Sequence, residues 1–250
     1  MNRALGLDIG GTGIKGAIVD LDSGELLSER IRTPTPQPAT VDAVLDTVEQ
    51  IVAQAEWDGP IGCTFPGIVK NGVVGLAANV DDAWIGVDLA SRLSERLGCP
   101  VSVLNDADAA GIAEMQLGAG RGADGVVLIM TLGTGIGSAL FNDGRLVPNT
   151  ELGHLQLDGC PDAETRAATS AREREGLSFT EWAEQRLQPY FSHVEGLFSP
   201  DLFIAGGGVS KKSHKFLPLL SLKTRIIPAE LLNNSGIVGA ALRSAESLGD

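Results

Sequence analysis

A glycine-rich segment near the start of the chain combines residue types that could bind phosphate. Residues 7–16 read LDIGGTGIKG and lie between apolar runs, which predicts a strand, a glycine turn and a second strand. Glycine reaches positive φ and lets a backbone approach a ligand closely, so the turn Gly10-Gly11-Thr12 could direct successive N–H groups at phosphate oxygens. Asp8, at the end of the first strand, is placed to hold a cation such as Mg²⁺ that bridges those phosphates.

The same segment has a second interpretation, a tight β-hairpin whose glycines serve only the turn. Lys15 would add positive charge to a phosphate site, whereas in a plain hairpin it would be solvated. Both interpretations are open on this segment alone.

The segment has a partial repeat further along the chain. Gly11-Thr12-Gly13-Ile14 matches Gly133-Thr134-Gly135-Ile136 with a shift of 122 residues, and the second copy follows an apolar strand that ends at Thr131. The match favours two related halves. We therefore expect two α/β domains that face one another across a cleft, with both glycine turns directed into it.

The elements that must position these turns follow from apolar spacing. Residues 41–55 have helical periodicity, and a helix over 89–97 is closed by Gly98. Glu25–Arg32 is expected to add a third antiparallel strand to the opening hairpin. We place the division near Ala107, between an N-terminal domain of residues 1–107 and a C-terminal domain of residues 108–250, whose last helix could pack back on the N-terminal domain.

Composition limits the classes of partner. The chain has 250 residues and a formal net charge of −13, which argues against nucleic acids and anionic membranes because the average field repels both. Its three cysteines form no C-x-x-C pair, so neither a disulfide framework nor a zinc ribbon is predicted. With no basic-then-apolar leader and no apolar run near ~20 residues, a cytoplasmic protein is expected.

Five motifs occur in an order that is specific as a set. They are Asp8-x-Gly-Gly-Thr-x-x-Lys15, Leu104-Asn105-Asp106-Ala107, Leu132-Gly133-Thr134-Gly135-Ile136-Gly137, Glu151-Leu152-Gly153-His154 and Gly206-Gly207-Gly208. This succession covers nearly the whole chain and resembles the ROK family of sugar kinases, within the actin-like/hexokinase-like (ribonuclease H-like) ATPase superfamily. Within the family, the chain is most similar to the short actinobacterial polyphosphate glucokinases.

The resemblance implies an activity and the groups it needs. It implies an α/β fold of two domains and transfer of a phosphoryl group to the 6-hydroxyl of glucose from inorganic polyphosphate, ATP or both. Mg²⁺ would bridge the donor phosphates, with Asp8 nearby and bound directly or through water. The family also makes a homodimer the expected assembly.

The resemblance assigns a general base and a sugar site. A sugar hydroxyl is a poor nucleophile that needs a base within hydrogen-bond reach, and Asp106, at the end of an apolar strand, is the candidate. The alternative is that Asp106 only caps the helix that follows. The residues expected to contact the sugar are Gly67, Asn79, Asn105, Asp106, Glu151, His154 and Glu164.

Two of these expectations also have structural alternatives. Glu151 and His154 lie three residues apart, on one side of a turn, and their carboxylate and imidazole suit recognition of a polyol. A Glu-x-x-His sequence could equally be structural, and Asn105 could be a turn residue.

The chain departs from the family at one position. Many members follow the Gly-His pair with a cysteine cluster that, together with a histidine, binds structural zinc. Here only Cys160 is present, followed by acids and arginines, so tetrahedral ligation cannot be completed. We expect no zinc site.

The donor is expected to lie along the glycine loops. The second loop would contribute Thr131, Gly133, Thr134 and Gly135, and in the family the third loop, Gly206-Gly207-Gly208, lies near adenosine. A polyanionic donor needs local positive charge in so acidic a protein, and Lys211, Lys212 and Lys215 beside the third loop are the candidates for a polyphosphate path. A solvated charged loop is the alternative.

Three other functions stay open. One is an ATP-dependent ROK kinase for another hexose, such as fructose or an N-acetylhexosamine. Another is a non-catalytic sugar sensor, as in ROK repressors, which carry an N-terminal helix-turn-helix that is not expected here. The third is polyphosphate hydrolysis, against which the sugar-site residues argue.

Overall fold

Two five-stranded sheets with the same strand arrangement organise the chain in this computed structural model, which describes residues 2–77, 81–157 and 159–246. The strands are β1 (Arg3–Ile9), β2 (Ile14–Asp20), β3 (Ile31–Thr33), β4 (Ile61–Phe65), β5 (Gly67–Lys70), β6 (Val73–Ala77), β7 (Val101–Asn105), β8 (Val126–Leu132), β9 (Ile136–Asn142), β10 (Arg145–Val147), β11 (Leu202–Gly206) and β12 (Arg225–Pro228). The α-helices are α1 (Val41–Gln54), α2 (Leu89–Leu97), α3 (Asp106–Leu117), α4 (Glu164–Ala167), α5 (Thr169–Arg174), α6 (Phe179–Trp182), α7 (Gln188–Phe198) and α8 (Ser235–Glu246).

The repeated glycine motif marks a repeated topology. The first sheet has the order β3-β2-β1-β4-β7 and the second the order β10-β9-β8-β11-β12. In each, an antiparallel hairpin that contains the glycine turn is followed by a parallel partner, β4 beside β1 and β11 beside β8. The order and direction of the strands therefore agree with the expectation of two related α/β halves.

The described residues form two compact units. Unit 1 runs to Ala113 and takes in the described residues from Asn234 onward, and unit 2 comprises Glu114–Asn233. The division lies inside α3 rather than at the expected 107/108, and α8 belongs to unit 1. The physical reason is that the start of α3 continues β7 and packs against α8, since a Cβ on Gly239 would meet the Ala109 carbonyl.

The core of unit 1 follows from the predicted helical spacing. Helix α1 buries Val44, Leu45, Val48 and Ile51 against the sheet, as its periodicity predicts, and Thr40 caps its first turn. Helix α2 ends at Gly98, whose φ of 68° is the left-handed conformation that favours glycine.

The expected strand over Glu25–Arg32 is much shorter than predicted. Asp20 accepts hydrogen bonds from Asp22 and Ser23 and folds residues 20–24 into a turn. The Ile18 N–H then donates to the Ser28 hydroxyl, at 3.0 Å, instead of to a backbone carbonyl. Because a side chain replaces the ladder bond, regular pairing resumes only in β3.

Unit 2 is built around aromatic side chains and one buried carboxylate. Trp182, Tyr190, Phe191, Phe203 and Phe216 are fully buried, and their rings contact one another in pairs. A π-helical segment, Ala183–Leu187, joins α6 to α7 through this core. No helix among the described ranges is long and apolar enough to cross a membrane.

The buried carboxylate of unit 2 is Glu114, which is 1% exposed. It accepts backbone N–H groups from Ala119 at 2.9 Å and from Glu230 and Leu231 at 3.1 and 2.8 Å. These bonds fasten two loops that are distant in sequence, and they satisfy a carboxylate that would otherwise be costly to bury.

Helix α8 packs against the first sheet at two glycines of the strands. A Cβ on Gly62 of β4 would collide with the Ala240 carbonyl of α8, and one on Gly6 of β1 would collide with the Ile237 carbonyl. Glycine at these two strand positions therefore sets the distance between helix and sheet.

We expect Gly62→Ala to lower the free energy of unfolding by about 1–3 kcal/mol, because the added methyl overpacks a backbone contact. Gly196→Ala is the matched control, since Gly196 lies exposed on α7 and, in the described part of the chain, only its own helix lies near its missing Cβ. It should be neutral or stabilising by up to ~1 kcal/mol. Urea unfolding measures both. Equal midpoints for Gly62→Ala and the wild type would contradict the close packing of α8.

Candidate active site

Polar residues gather at one edge of the first sheet, where its parallel strands end. Asp8 of β1 pairs in register with Thr64 of β4, which pairs with Leu104 of β7. Asn105 and Asp106 follow at once. The carboxyl ends of parallel strands are where α/β proteins bind ligands.

The Asp8 carboxylate is held on both oxygens. Lys15 donates to Oδ2 at 2.9 Å, and the Thr64 hydroxyl donates to Oδ1 at 2.9 Å. The Asp8 side chain is 20% exposed and that of Lys15 is 29% exposed. Lys15 is therefore ion-paired and partly buried, which is not the freely solvated side chain of the plain-hairpin alternative.

The first glycine turn is closed at its base and open at its tip. Gly10 donates to the Gly13 carbonyl at 3.1 Å, and the Thr35 hydroxyl donates to the Gly10 carbonyl. Gly11 and Thr12 are exposed, and apart from its chain neighbours no atom of the described residues lies within 4 Å of where a Cβ on Gly11 would be. This leaves space beside the backbone for a ligand.

Asn105 is a buried structural link. Its Nδ2 donates to the Gly67 carbonyl at 3.0 Å, and its Oδ1 accepts the N–H groups of Ala107 and Asp108 at 2.8 and 3.0 Å. The side chain thus caps α3 and fixes Gly67 beside it. Both residues belong to the expected sugar site, and the structure places them together.

Asp106 is the exposed carboxylate at the first position of α3. Its Oδ1 accepts the Ala107 N–H at 2.9 Å. This contact is with the adjacent residue, and the capping bonds of α3 come from Asn105. The contact does not compete with the role of a base, because a carboxylate offers two oxygens and about four lone-pair sites.

Unit 2 places the second and third glycine loops side by side. Gly133 donates to the Gly135 carbonyl at 2.9 Å, and Gly206 of β11 pairs in register with Thr131 of β8. Gly207 has a φ of 82°, and a Cβ there would collide with the Leu132 backbone. The loops therefore share one edge of the second sheet, as a common donor path requires.

The Glu-x-x-His motif is anchored by Leu152, which lies between Glu151 and His154. Residues Leu152–His154 form a 3₁₀ turn in which Leu152 is buried. The Leu152 N–H donates to the Ser138 hydroxyl at 3.0 Å, and the Tyr190 hydroxyl donates to the Leu152 carbonyl at 3.1 Å. Glu151 and His154 flank this anchor, with 4.0 Å between the Glu151 Oε2 and the His154 Nε2.

Burial raises the pKa of the Glu151 carboxyl above its ordinary value. The positive charge that His154 can carry opposes the rise, and the nearby charge of Glu164 adds to it. The Glu151 side chain is still one-third exposed, so it faces both protein and solvent.

Glu164 joins this motif to the second glycine loop. Its Oε2 accepts the Ile136 N–H at 2.8 Å, and a Cβ on Gly135 would collide with the same carboxylate. One carboxylate oxygen of Glu164 also lies within 4.8 Å of donor atoms of His154 and Asp162. The structure therefore brings Glu164, His154 and Gly135 together, which fits the family position assigned to Glu164.

The residues that could bind Mg²⁺ differ from those that could bind zinc. Both Asp8 oxygens already accept hydrogen bonds, so they fit a Mg²⁺ that keeps its water ligands better than a directly bound ion. For zinc, the cluster of His154, Asp162 and Glu164 supplies three donors, and the described residues add no cysteine to complete a tetrahedral set. The absence of zinc stays a prediction.

The basic cluster beside the third loop is exposed. Lys211, Lys212 and Lys215 lie on the 3₁₀ segment Gly208–Lys215, and in the parts of the chain that are described none of them forms a salt bridge. The Lys215 ammonium lies 5.6 Å from the centre of the Phe179 ring, which Arg172 also covers at 4.4 Å. The cations are thus available to an anion.

Sequence reasoning missed three residues that hold the site. Thr64 bonds Asp8, Asp162 lies 3.3 Å from the His154 ring, and the Ser170 N–H donates to the Gly133 carbonyl at 3.1 Å. Each is a common polar residue far in sequence from its partner, so no spacing signals it. Asn79, also expected at the sugar site, lies outside the described residues.

The chain matches known proteins over nearly its full length. The sequence profile described as the ROK family matches residues 4–173. The chain is 50% identical to a polyphosphate glucokinase of Mycobacterium tuberculosis over 97% of its own length and 91% of that protein.

Two solved structures are also similar. The inorganic polyphosphate/ATP-glucomannokinase of Arthrobacter sp. strain KM is 56% identical, with a TM-score of 0.92 over 99% of this chain and all of that one. A ROK family glucokinase of Streptomyces griseus, solved with glucose and AMPPNP, is 27% identical, with a TM-score of 0.83 over 98% and 99% of the two chains. The expected actin-like/hexokinase-like fold is confirmed, and this chain belongs to the ROK family.

Proposed function

We propose that this protein is a glucokinase that transfers a phosphoryl group from inorganic polyphosphate to the 6-hydroxyl of glucose, and that it also accepts ATP. The observation that carries the proposal is the arrangement at the first sheet edge. There the exposed Asp106 carboxylate lies two strands away from Asp8 and its open glycine turn, or about 10 Å at the usual strand spacing. The names of the similar proteins support both the sugar and the two donors.

Asp106 acts as the general base. Its carboxylate accepts the proton of the 6-hydroxyl while the hydroxyl oxygen forms a bond to the terminal phosphorus of the donor. The bond from that phosphorus to the leaving phosphate oxygen breaks, and the shortened donor leaves with the electron pair. Anchoring of Asp106 by the N terminus of α3 keeps the carboxylate in place for this step.

The glycine loops and nearby cations bind the donor. In phosphoryl transfer a protein mainly positions groups and neutralises charge. Backbone N–H groups around Gly10–Thr12 and Gly133–Gly135 bind phosphate oxygens, and Lys15 adds charge beside the first turn. Asp8 and Thr64 would hold a hydrated Mg²⁺, which supplies neutralising charge to the donor when bound.

Glu151, His154 and Glu164 bind sugar hydroxyls, and Asn105 holds Gly67 in place next to Asp106. Mannose is a second acceptor to test, because the similar Arthrobacter enzyme is named a glucomannokinase. A homodimer and a cytoplasmic location stay predictions.

Activity of the purified protein separates this function from the others. A coupled assay with glucose and either donor should give turnover. Phosphate release without glucose would favour a polyphosphate hydrolase, and no turnover with any hexose would favour a sugar sensor.

We expect Asp106→Asn to lower kcat by about 10²–10⁴-fold, because the variant keeps the shape of the side chain and loses the base. Glucose affinity, measured by calorimetry, should change little. Asp58→Asn, which alters an exposed aspartate of unit 1, is the control and should keep wild-type rates. Retention of most of the turnover by Asp106→Asn would exclude Asp106 as the base.

Neutralising Lys211, Lys212 and Lys215 together as glutamines should raise the KM for polyphosphate about tenfold, given the modest free energy of each exposed charge contact. The dependence of that KM on salt should become shallower, and the KM for ATP should move less. The control is Lys70→Gln, Arg145→Gln and Lys223→Gln, which removes the same charge elsewhere. Equal effects of the two triple variants would exclude a local polyphosphate path.

The raised pKa of Glu151 predicts a pH dependence of sugar binding. Its ionised form, the better acceptor for sugar hydroxyls, should be lost on acidification at a higher pH than for an ordinary glutamate. The KM for glucose should therefore rise as pH falls through that range. In Glu151→Gln the KM should already be raised at neutral pH, and this part of its pH dependence should disappear.

A further inference from the structure

The His154 ring has a partner that the proposed function does not explain. Its Nδ1 lies 3.3 Å from each oxygen of the Asp162 carboxylate, whereas its Nε2 faces Glu151 at 4.0 Å. The two ring nitrogens are thus directed at two different acids. A neutral imidazole has one donor and one acceptor nitrogen, and a hydrogen bond at one nitrogen decides the role of the other.

Asp162 is itself held in place by several bonds. Its backbone carbonyl accepts the Thr165 hydroxyl at 2.6 Å and the thiol of the buried Cys160 at 3.0 Å. Cys160 and Leu157 exchange both backbone hydrogen bonds, each at 2.9 Å. The carboxylate therefore projects from a fixed backbone just before α4, and His154 projects from the anchored 3₁₀ turn.

We propose that Asp162 is a positioning residue that holds His154 in its Nδ1–H form. An ionised carboxylate offers only acceptors, so Nδ1 must donate, and Nε2 of the neutral ring is left as an acceptor. Nε2 and the Glu151 carboxylate then present two acceptors side by side. Such a pair fits two neighbouring hydroxyl donors on one ligand.

Only the identity of that ligand as a sugar rests on the proposed function. The tautomer of His154 is a property of the ligand-free protein, so it can be measured separately. The chain has three histidines, which makes the ring signals easy to assign.

The test is the tautomer of His154 read from two-bond ¹H–¹⁵N correlations of the ligand-free protein at neutral pH, with His154→Gln used for assignment. The wild type should show the Nδ1–H form. Asp162→Asn should shift the ring towards the Nε2–H form, because an amide can donate to Nδ1 as well as accept from it. Asp162→Glu keeps an acceptor carboxylate and should restore the Nδ1–H form at least in part.

Kinetics give the second readout. Loss of a charge-assisted hydrogen bond should raise the KM for glucose about tenfold in Asp162→Asn, with a smaller change in kcat. Glu184→Gln removes an exposed charge from the same unit and should leave both tautomer and KM unchanged. A purely structural Asp162 would lower stability in Asp162→Asn without moving the tautomer.

Three results would overturn the proposal. They are an Nε2–H wild-type ring, an unchanged tautomer in Asp162→Asn, or stoichiometric zinc in the purified wild type that is lost in the variant. If Asp162→Asn does not fold, the His154 tautomers of the wild type and of Asp162→Glu test the proposal. A wild type that shows the Nδ1–H form and no glucose turnover would refute the proposed function and leave the Asp162–His154 pairing standing.

Discussion

The closeness of backbone to backbone at a few glycines is the constraint on which the site depends. At Gly62 the strand β4 and the helix α8 approach until no side chain fits between them, and at Gly135 the missing side chain makes room for the Glu164 carboxylate. Protein interiors are packed as densely as organic crystals, so the backbone contact at Gly62 cannot be relaxed locally. Glycine is thus needed in this chain for packing as well as for turns, at Gly62 under α8 and at Gly135 in the second glycine turn.

The order of the motifs was enough to predict the fold, because each motif is a local strand–turn unit. The 122-residue repeat correctly indicated two sheets with the same arrangement, and apolar spacing correctly located α1, α2 and the strands that lead to Asp8 and Asp106. The third strand was overestimated, since nothing in the sequence shows that Ser28 would take the hydrogen bond of Ile18. The point inside α3 at which the two units divide depends on packing of α3 against α8, more than 100 residues further along the chain, which periodicity cannot report.

The candidate site residues also differ in whether the sequence alone could suggest them. Asp8, Asn105, Glu151 and His154 were proposed because they belong to short motifs, and Gly67 and Glu164 were proposed from the family resemblance. Their partners Thr64 and Asp162 were not found, because each meets its partner through the fold. The cysteine cluster that many family members carry after the Gly-His pair is missing from the sequence, and the absence of zinc that this predicts stays a prediction. The structure adds that Cys160 still serves there, since its thiol supports the Asp162 backbone.

The position of α8 has a consequence for the order in which the chain acquires structure during synthesis. Unit 2 is one continuous stretch, Glu114–Asn233, whereas unit 1 needs α8, which follows unit 2 in the chain. Because domains fold as units while the chain emerges, unit 2 can complete its core while the first sheet still lacks the helix that covers Gly6 and Gly62. The first sheet is therefore covered only after α8 has been synthesised, which is later than the whole of unit 2, and until then the face that carries Gly6 and Gly62 is open to chaperones.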